Sequence, residues 1–158
     1  MTSRNLMLLA AAGSLALLVG AFIFQAFGYA PCKLCIWQRW PHGAAIGAGV
    51  LILAMGPMAV LGFIGLLGAL ATGGIGVYHT GIERGWWEGP ADCTGRSDSL
   101  SGLSGSDLLS LDAQVNVIFC DEVAWSMFGL SMASWNALFS FALAGLWFLA
   151  LRKHFSDR

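Results

Sequence analysis

Charge is what this sequence has least of. It holds eight Lys and Arg and nine Asp and Glu in 158 residues, 11% of the chain, where ordinary soluble domains carry about 25%. So few charges could not dress the surface of a soluble fold of this size. The net charge of −1 leaves no basic stripe to meet phosphates, which excludes nucleic acid as a partner. Low-complexity tracts and fixed-period repeats are missing as well. The length suits one domain rather than two.

In place of charge there are long apolar runs. No Asp, Glu, Lys or Arg occurs from Asn5 to Cys32, from Trp40 to Ile82, or from Val123 to Leu151, runs of 28, 43 and 29 residues. A membrane helix needs about 20 mostly apolar residues, so the runs hold one, two and one spans. These features predict an all-α integral membrane protein, a four-helix transmembrane bundle with spans near 6–26, 41–55, 58–79 and 130–151. Met55-Gly56-Pro57-Met58 breaks the middle run, since Pro57 cannot donate to a helical turn and Gly56 readily takes turn angles. A cleavable signal peptide competes for the first run, but that run exceeds the 7–15 residues of an ordinary signal core. Small residues, Gly43 and Gly47 as a GxxxG and Gly62, Gly65 and Gly68 at every third position, predict close helix packing.

Four spans put both termini on one side of the membrane and two loops, near 28–40 and 83–129, on the other. The longer loop opens with a Gly/Ser/Asp-rich stretch from Gly89 to Asp107 that predicts flexibility. Asp107 would then cap a short helix with an apolar stripe of Leu108, Leu111 and Val115 lying on the bilayer. Lys and Arg split four against four between the two sides, which leaves orientation open by the positive-inside rule. Trp37, Trp40, Trp86, Trp87 and Trp125 lie on the loop side near span ends, where an interfacial belt would sit.

All four cysteines fall on that loop side: Cys32 and Cys35 as CxxC in the short loop, Cys93 and Cys120 in the long one. An even set on one face suggests disulfides in an oxidising compartment, which predicts both termini on the cytoplasmic side and the cysteine loops on the oxidising side. Four cysteines allow three pairings, and the sequence does not choose; a local Cys32–Cys35 pair would leave Cys93 with Cys120. Three roles compete. Structural staples are superfluous in a lipid-held bundle. A four-thiolate zinc site has suitable ligands, but the spacing lacks a second CxxC. Redox chemistry is favoured because a CxxC disulfide closes a small, strained ring; a thioredoxin domain is excluded by the absence of a βαβ pattern. Cys35 falls close to the start of the second helix, whose dipole favours thiolate, and Arg39 follows four residues later on the same face. Asp121 and Glu122, next to Cys120, oppose thiolate formation there.

The run Pro31-Cys32-Lys33-Leu34-Cys35-Ile36-Trp37-Gln38-Arg39-Trp40-Pro41 closely resembles the PCxLCxxQRxP motif of the DsbB family, the disulfide bond formation protein B of bacterial inner membranes. Tyr78-His79-Thr80-Gly81, then Gly89-Pro90-Ala91-Asp92-Cys93-Thr94-Gly95, resembles that family's third-helix end and first loop cysteine. Cys120-Asp121-Glu122, Trp125 and Gly129-Leu130-Ser131-Met132-Ala133-Ser134-Trp135-Asn136 resemble its second loop cysteine and the start of its fourth helix. His42 stands where members commonly place Tyr. The likeness covers nearly the whole chain.

The resemblance implies a quinone-dependent thiol oxidase of the bacterial inner membrane. Its partner would be a periplasmic, DsbA-like thioredoxin-fold protein with a potential near −120 mV, so the terminal acceptor must be stronger still. Quinone, ubiquinone or menaquinone, would be the cofactor, joining the protein to the quinone pool and the respiratory chain. By analogy Cys93 is attacked by the partner and Cys120 released; Cys120 then attacks Cys32, and Cys35 lies nearest the quinone ring. Arg39 would stabilise the Cys35 thiolate and the quinone complex, His79 would lie near the quinone, and no metal is expected. Cys93 is expected in an accessible loop. A vitamin K epoxide reductase-like enzyme is the redox alternative, although there the CxxC comes late in the chain. A scaffold or metal-handling protein is the non-enzymatic one.

Overall fold

A computed structural model describes residues 1–90, Cys93 and 119–157. The stretch from Thr94 to Asp107 and the helix proposed after Asp107 lie outside the described residues. Four long helices carry the chain: α1 (Ser3–Ala26), α2 (Lys33–Met55), α3 (Ala59–Glu83) and α4 (Met132–Ser156). They pack in a ring in which α2 and α4 each touch both α1 and α3. Three of them, α1, α3 and α4, are long and apolar enough to cross a membrane. The α2 helix, which carries Lys33, Arg39 and His42, does not reach that measure.

The α2 and α3 helices extend past their uncharged run at the loop end, because caps and hydrogen bonds rather than hydropathy set where a helix starts and stops. The α2 helix starts at Lys33, well before residue 41, with Cys32 as its N-cap and the Cys32 sulfur accepting from the Cys35 N–H at 3.3 Å. Pro41 is thereby enclosed within the helix rather than starting a span. The α3 helix runs one turn beyond residue 79 and carries Glu83 with it. Between α2 and α3, Gly56 takes φ 89°, a left-handed value that glycine adopts without penalty, and its N–H closes the helix on the Ile52 carbonyl at 3.0 Å.

Before α4 the chain forms a hairpin that hydropathy did not foretell. Strands β1 (Ser126–Met127) and β2 (Leu130–Ser131) pair antiparallel, Met127 opposite Leu130. The two linking residues, Phe128 and Gly129, both have positive φ, 53° and 75°, the geometry of the favoured two-residue hairpin turn. Ser131 then caps α4, its hydroxyl accepting from the Ser134 N–H at 3.2 Å.

Small residues set the helix approach, though not all of those expected. Trp147, fully buried, lies against Gly65, Leu151 and Met7 cover Gly62, and the Pro41 carbonyl comes up to Gly68. At each of these a methyl group would collide. Gly43 and Gly47 instead have open space around them among the described residues, so that GxxxG is not a contact surface. Most large apolar side chains elsewhere, such as Val60, Leu67 and Phe22, face outward, as they must when the surrounding medium is hydrocarbon.

Candidate functional site: a cysteine cluster beside an apolar cavity

The loop end of the bundle gathers all four cysteines. Cys32, Cys93 and Cys120 are buried with Leu34 and Ile82 in one cluster, and Cys35 packs against it. Cys93 and Cys120 are joined as a disulfide with Cα atoms 5.1 Å apart. Cys32 and Cys35 are free, their sulfurs 3.1 Å apart. The expected accessibility of Cys93 is corrected here: its side chain is 1% exposed. Its N–H is bonded to the Pro90 carbonyl and its own carbonyl accepts from the Cys120 N–H, which folds the disulfide down onto α2 and α3.

The CxxC is electrostatically asymmetric. When Cys32 is ionised the Cys35 thiol donates across the 3.1 Å between the two sulfurs, and His79 Nε2 lies 3.5 Å from the Cys32 sulfur. Against the opposing effect of burial, these bonds and the positive field of His79 pull the Cys32 thiol from 9.0 down to about 4. In this dithiol arrangement the Cys32 thiol is the more acidic of the two. The Cys35 thiol is the largest cause and His79 the next, while the N-cap position adds a smaller share through the Cys35 N–H that the Cys32 sulfur accepts.

Arg39 also differs from its expected contact. Its Nη1 donates to Gln25 Oε1 at 2.8 Å and its guanidinium lies 4.7 Å from the centre of the Phe22 ring, both on α1. No hydrogen bond joins it to either free sulfur among the described residues, because the long side chain reaches across to α1 instead of back along α2. It nonetheless lines the same cavity as Cys32 and Cys35.

That cavity, about 420 Å³, lies between α1, α2 and α4, with His79 and Glu83 of α3 also on its wall. Aliphatic and aromatic side chains such as Leu17, Phe24 and Phe139 form most of its wall, and Cys35, Arg39, His42, His79 and Asn136 supply its polar points. A mostly apolar concavity with a few convergent polar groups is the usual form of a cofactor site. Two buried polar atoms on its lining residues, Arg39 Nε and His42 Nδ1, have no hydrogen-bond partner among the described residues.

Sequence reasoning missed most of the polar chain that ties the cavity to the thiolate. Gln38 Nε2 lies 3.4 Å from His79 Nδ1, Asn136 Nδ2 donates to Gln38 Oε1 at 3.2 Å and to Thr72 Oγ1 at 3.1 Å, and His42 Nε2 lies 3.0 Å from Asn136 Oδ1. Gln38, His42 and Asn136 stand within stretches quoted for the family resemblance but were assigned no role. Polar side chains inside membrane helices are expensive and usually functional, and that was the signal available. Glu83 is the other omission. It accepts from the Ser131 hydroxyl and lies 3.8 Å from His79 Nε2, one turn along α3. Its spacing from His79 was readable, but only the extra turn of α3 makes that spacing helical.

Cys32, Cys35 and His79 also place their ligand atoms within 4.8 Å of one another, close enough for a soft metal ion.

Comparison with known proteins agrees with this layout. Residues 3–150 match the family model described as disulfide bond formation protein DsbB. Disulfide bond formation protein B 2 of Pseudomonas savastanoi pv. phaseolicola is 31% identical over 146 residues, 86% of this chain and 78% of that protein. The protein of the same description from Pseudomonas aeruginosa is 30% identical over 142 residues, covering 81% of this chain and 83% of its own. Disulfide bond formation protein B of Verminephrobacter eiseniae is 31% identical over 160 residues, 95% and 86% of the two chains. No solved structure matches.

Proposed function

From the premise that the chain belongs to the DsbB family of disulfide bond formation proteins, we propose that it is a membrane thiol:quinone oxidoreductase that reoxidises a DsbA-like thioredoxin-fold protein. In this reading residues 1–158 form a single four-span domain in the bacterial inner membrane. Both termini are cytoplasmic and the cysteine segments periplasmic. The observation that carries the reading is the common burial of a disulfide and a dithiol in one cluster at the edge of an apolar cavity.

Electrons enter at Cys93–Cys120. A thiolate of the reduced partner attacks Cys93 and releases Cys120, and the partner's second thiol resolves the mixed disulfide. The partner leaves oxidised and the loop pair is left reduced. Because Cys93 is buried, that attack requires the cysteine segment to lift from α2 and α3. Cys120 then attacks Cys32 of a Cys32–Cys35 disulfide and frees Cys35. Cys93 displaces Cys32 in turn, so the loop disulfide returns and two electrons reside on the CxxC. Departure of Cys32 is favoured by its low pKa, since a more acidic thiol is the better leaving group.

The cavity's residues fit a quinone. The wall suits an isoprenoid-bearing ring, and the unpartnered Arg39 Nε–H on its lining is a donor of the kind a quinone carbonyl takes. A bound quinone would supply the acceptor for the two electrons released as Cys32 and Cys35 close their disulfide; the Cys35 thiol gives up one proton and the second is drawn from outside the CxxC, since Cys32 is already ionised. Arg39 orients the ring from the α1 side, held by Gln25 and Phe22. His79 keeps the Cys32 thiolate in place with one ring nitrogen while Gln38 fixes the other.

The test is anaerobic quinone reduction by the purified protein, driven by a reduced thioredoxin-fold dithiol oxidase and followed by the loss of quinone absorbance. Multiple turnovers are expected. Absence of quinone reduction, with stoichiometric zinc in the purified protein, would make the cysteines metal ligands instead.

A further inference from the structure

Three side chains of the cysteine cluster have the composition of a metal centre. Cys32 and Cys35 at the start of α2 and His79 near the end of α3 bring two sulfurs and a ring nitrogen within 4.8 Å of one another. Zinc lies about 2.3 Å from a thiolate sulfur and about 2.0 Å from an imidazole nitrogen. A tetrahedral ion therefore needs about 3.5 Å between sulfur and nitrogen and about 3.8 Å between two sulfurs. Cys32 Sγ and His79 Nε2 are already 3.5 Å apart. The two sulfurs stand 3.1 Å apart, so a small turn of the half-buried Cys35 side chain completes the spacing. The Cys35 N–H bonded to Cys32 Sγ at 3.3 Å is a supporting contact of the kind that holds a metal-bound thiolate. All three residues line the cavity, as does Glu83, whose Oε1 lies 3.8 Å from His79 Nε2. The cavity thus gives an ion its way in and a side from which water or Glu83 serves as a fourth, oxygen ligand.

We propose that the reduced CxxC and His79 form a zinc(II) site, and that zinc bound there holds the protein in its dithiol state. Entry of the ion displaces two protons, one from Cys35 Sγ and one from His79 Nε2, and moves no electrons. His79 keeps a hydrogen on Nδ1, beside the Gln38 side-chain amide 3.4 Å away. The ion takes over the positive charge that the ring presents to Cys32 in the metal-free dithiol. Two thiolates and a divalent ion sum to zero, which suits a mostly apolar wall. A monovalent ion would leave a net negative charge buried beside Glu83, which is costly. A Cys32–Cys35 disulfide has no thiolate to offer, so the site exists in one redox state alone. Metal and oxidant then compete for the same two sulfurs, and zinc acts as a brake on disulfide closure.

The experiment uses the full-length Cys93→Ala/Cys120→Ala protein in detergent, stripped of metal, so that the CxxC holds its only cysteines. Zinc is added alone, without quinone, and its binding is followed by competition with a chromophoric chelator. One equivalent should bind the dithiol and none the Cys32–Cys35 disulfide. Cobalt(II) in its place should give sulfur-to-metal charge-transfer bands with the intensity of two thiolates. His79→Ala removes a ligand and should weaken zinc by at least the roughly 10–100-fold that loss of a supporting residue costs. In the ¹⁵N spectrum of the histidine-labelled protein, zinc should move Nε2 of His79 and leave His42 and His154, the other two histidines, in place. No binding, equal binding by the disulfide form, or an unmoved His79 resonance would overturn the site. The two spectra decide the matter even if His79→Ala does not fold. Zinc should also stop a single turnover with quinone, and a chelator should restore it; undiminished turnover with zinc bound would overturn the brake. Zinc binding by a protein that never reduces quinone would support the site and overturn the quinone reading, so the two fail separately.

Discussion

In the proposed reaction most steps converge on Cys32, and its low pKa has a measurable signature. The Cys35 thiol and His79 hold it near 4 against a reference of 9.0. Alkylation of Cys32 in the reduced protein, quantified by mass spectrometry, should therefore proceed at a nearly constant rate from pH 9 down to about pH 5. It should fall only as the pH drops through about 4. Cys35→Ala removes the largest favourable contribution, so in that variant the rate should decline at clearly higher pH. An unchanged profile would show that Cys35 does not set the acidity. The sign also bears on stability. A thiol whose folded pKa is depressed stabilises the folded dithiol form fully above pH 9, and that contribution is lost as pH falls toward 4. That Cys32, Cys35 and Arg39 belong to one site was legible from their types and local spacing, whereas His79 was legible only through the family resemblance. The low pKa of Cys32 was not legible, since it depends on its contact with Cys35 and on a histidine 47 positions away.

At the level of helices, glycine positions separate contact from mere smallness. Gly65→Ala would drive a methyl group into buried Trp147, and overpacking of this kind costs about 1–3 kcal/mol. Gly43→Ala meets open space and should be neutral or stabilising by up to about 1 kcal/mol, from helix propensity alone. Thermal unfolding in detergent should rank the two variants in that order; equal effects would contradict the packing described for α3 and α4. Both glycines sit in equally suggestive motifs, and only the facing helix tells them apart. Helix number and order followed from uncharged runs. The helix starts did not, because a cysteine N-cap before α2 and a Phe128-Gly129 turn before α4 are stereochemical signals that hydropathy does not register. The buried cysteine segment makes a further prediction. Reduction of Cys93–Cys120 by a small thiol should be slow relative to reduction by a thioredoxin-fold partner that can displace the segment, and equal rates would contradict the burial of Cys93.

For the whole molecule, the bundle, the cysteine cluster and the cavity form one device only if the loop end faces an oxidising compartment. Fusions of alkaline phosphatase should be active after Gly89 and inactive after Arg158, and the reverse pattern would overturn the topology together with the function. The central claim is narrower: the CxxC, and not the loop disulfide, exchanges electrons with quinone. The most direct measurement is a single anaerobic turnover of the fully reduced Cys93→Ala/Cys120→Ala protein with one equivalent of quinone, counting thiols lost and quinone consumed. The account predicts that two thiols disappear per quinone reduced, with Cys32 and Cys35 recovered as a disulfide. Retention of both thiols, with the quinone unreduced, would contradict it.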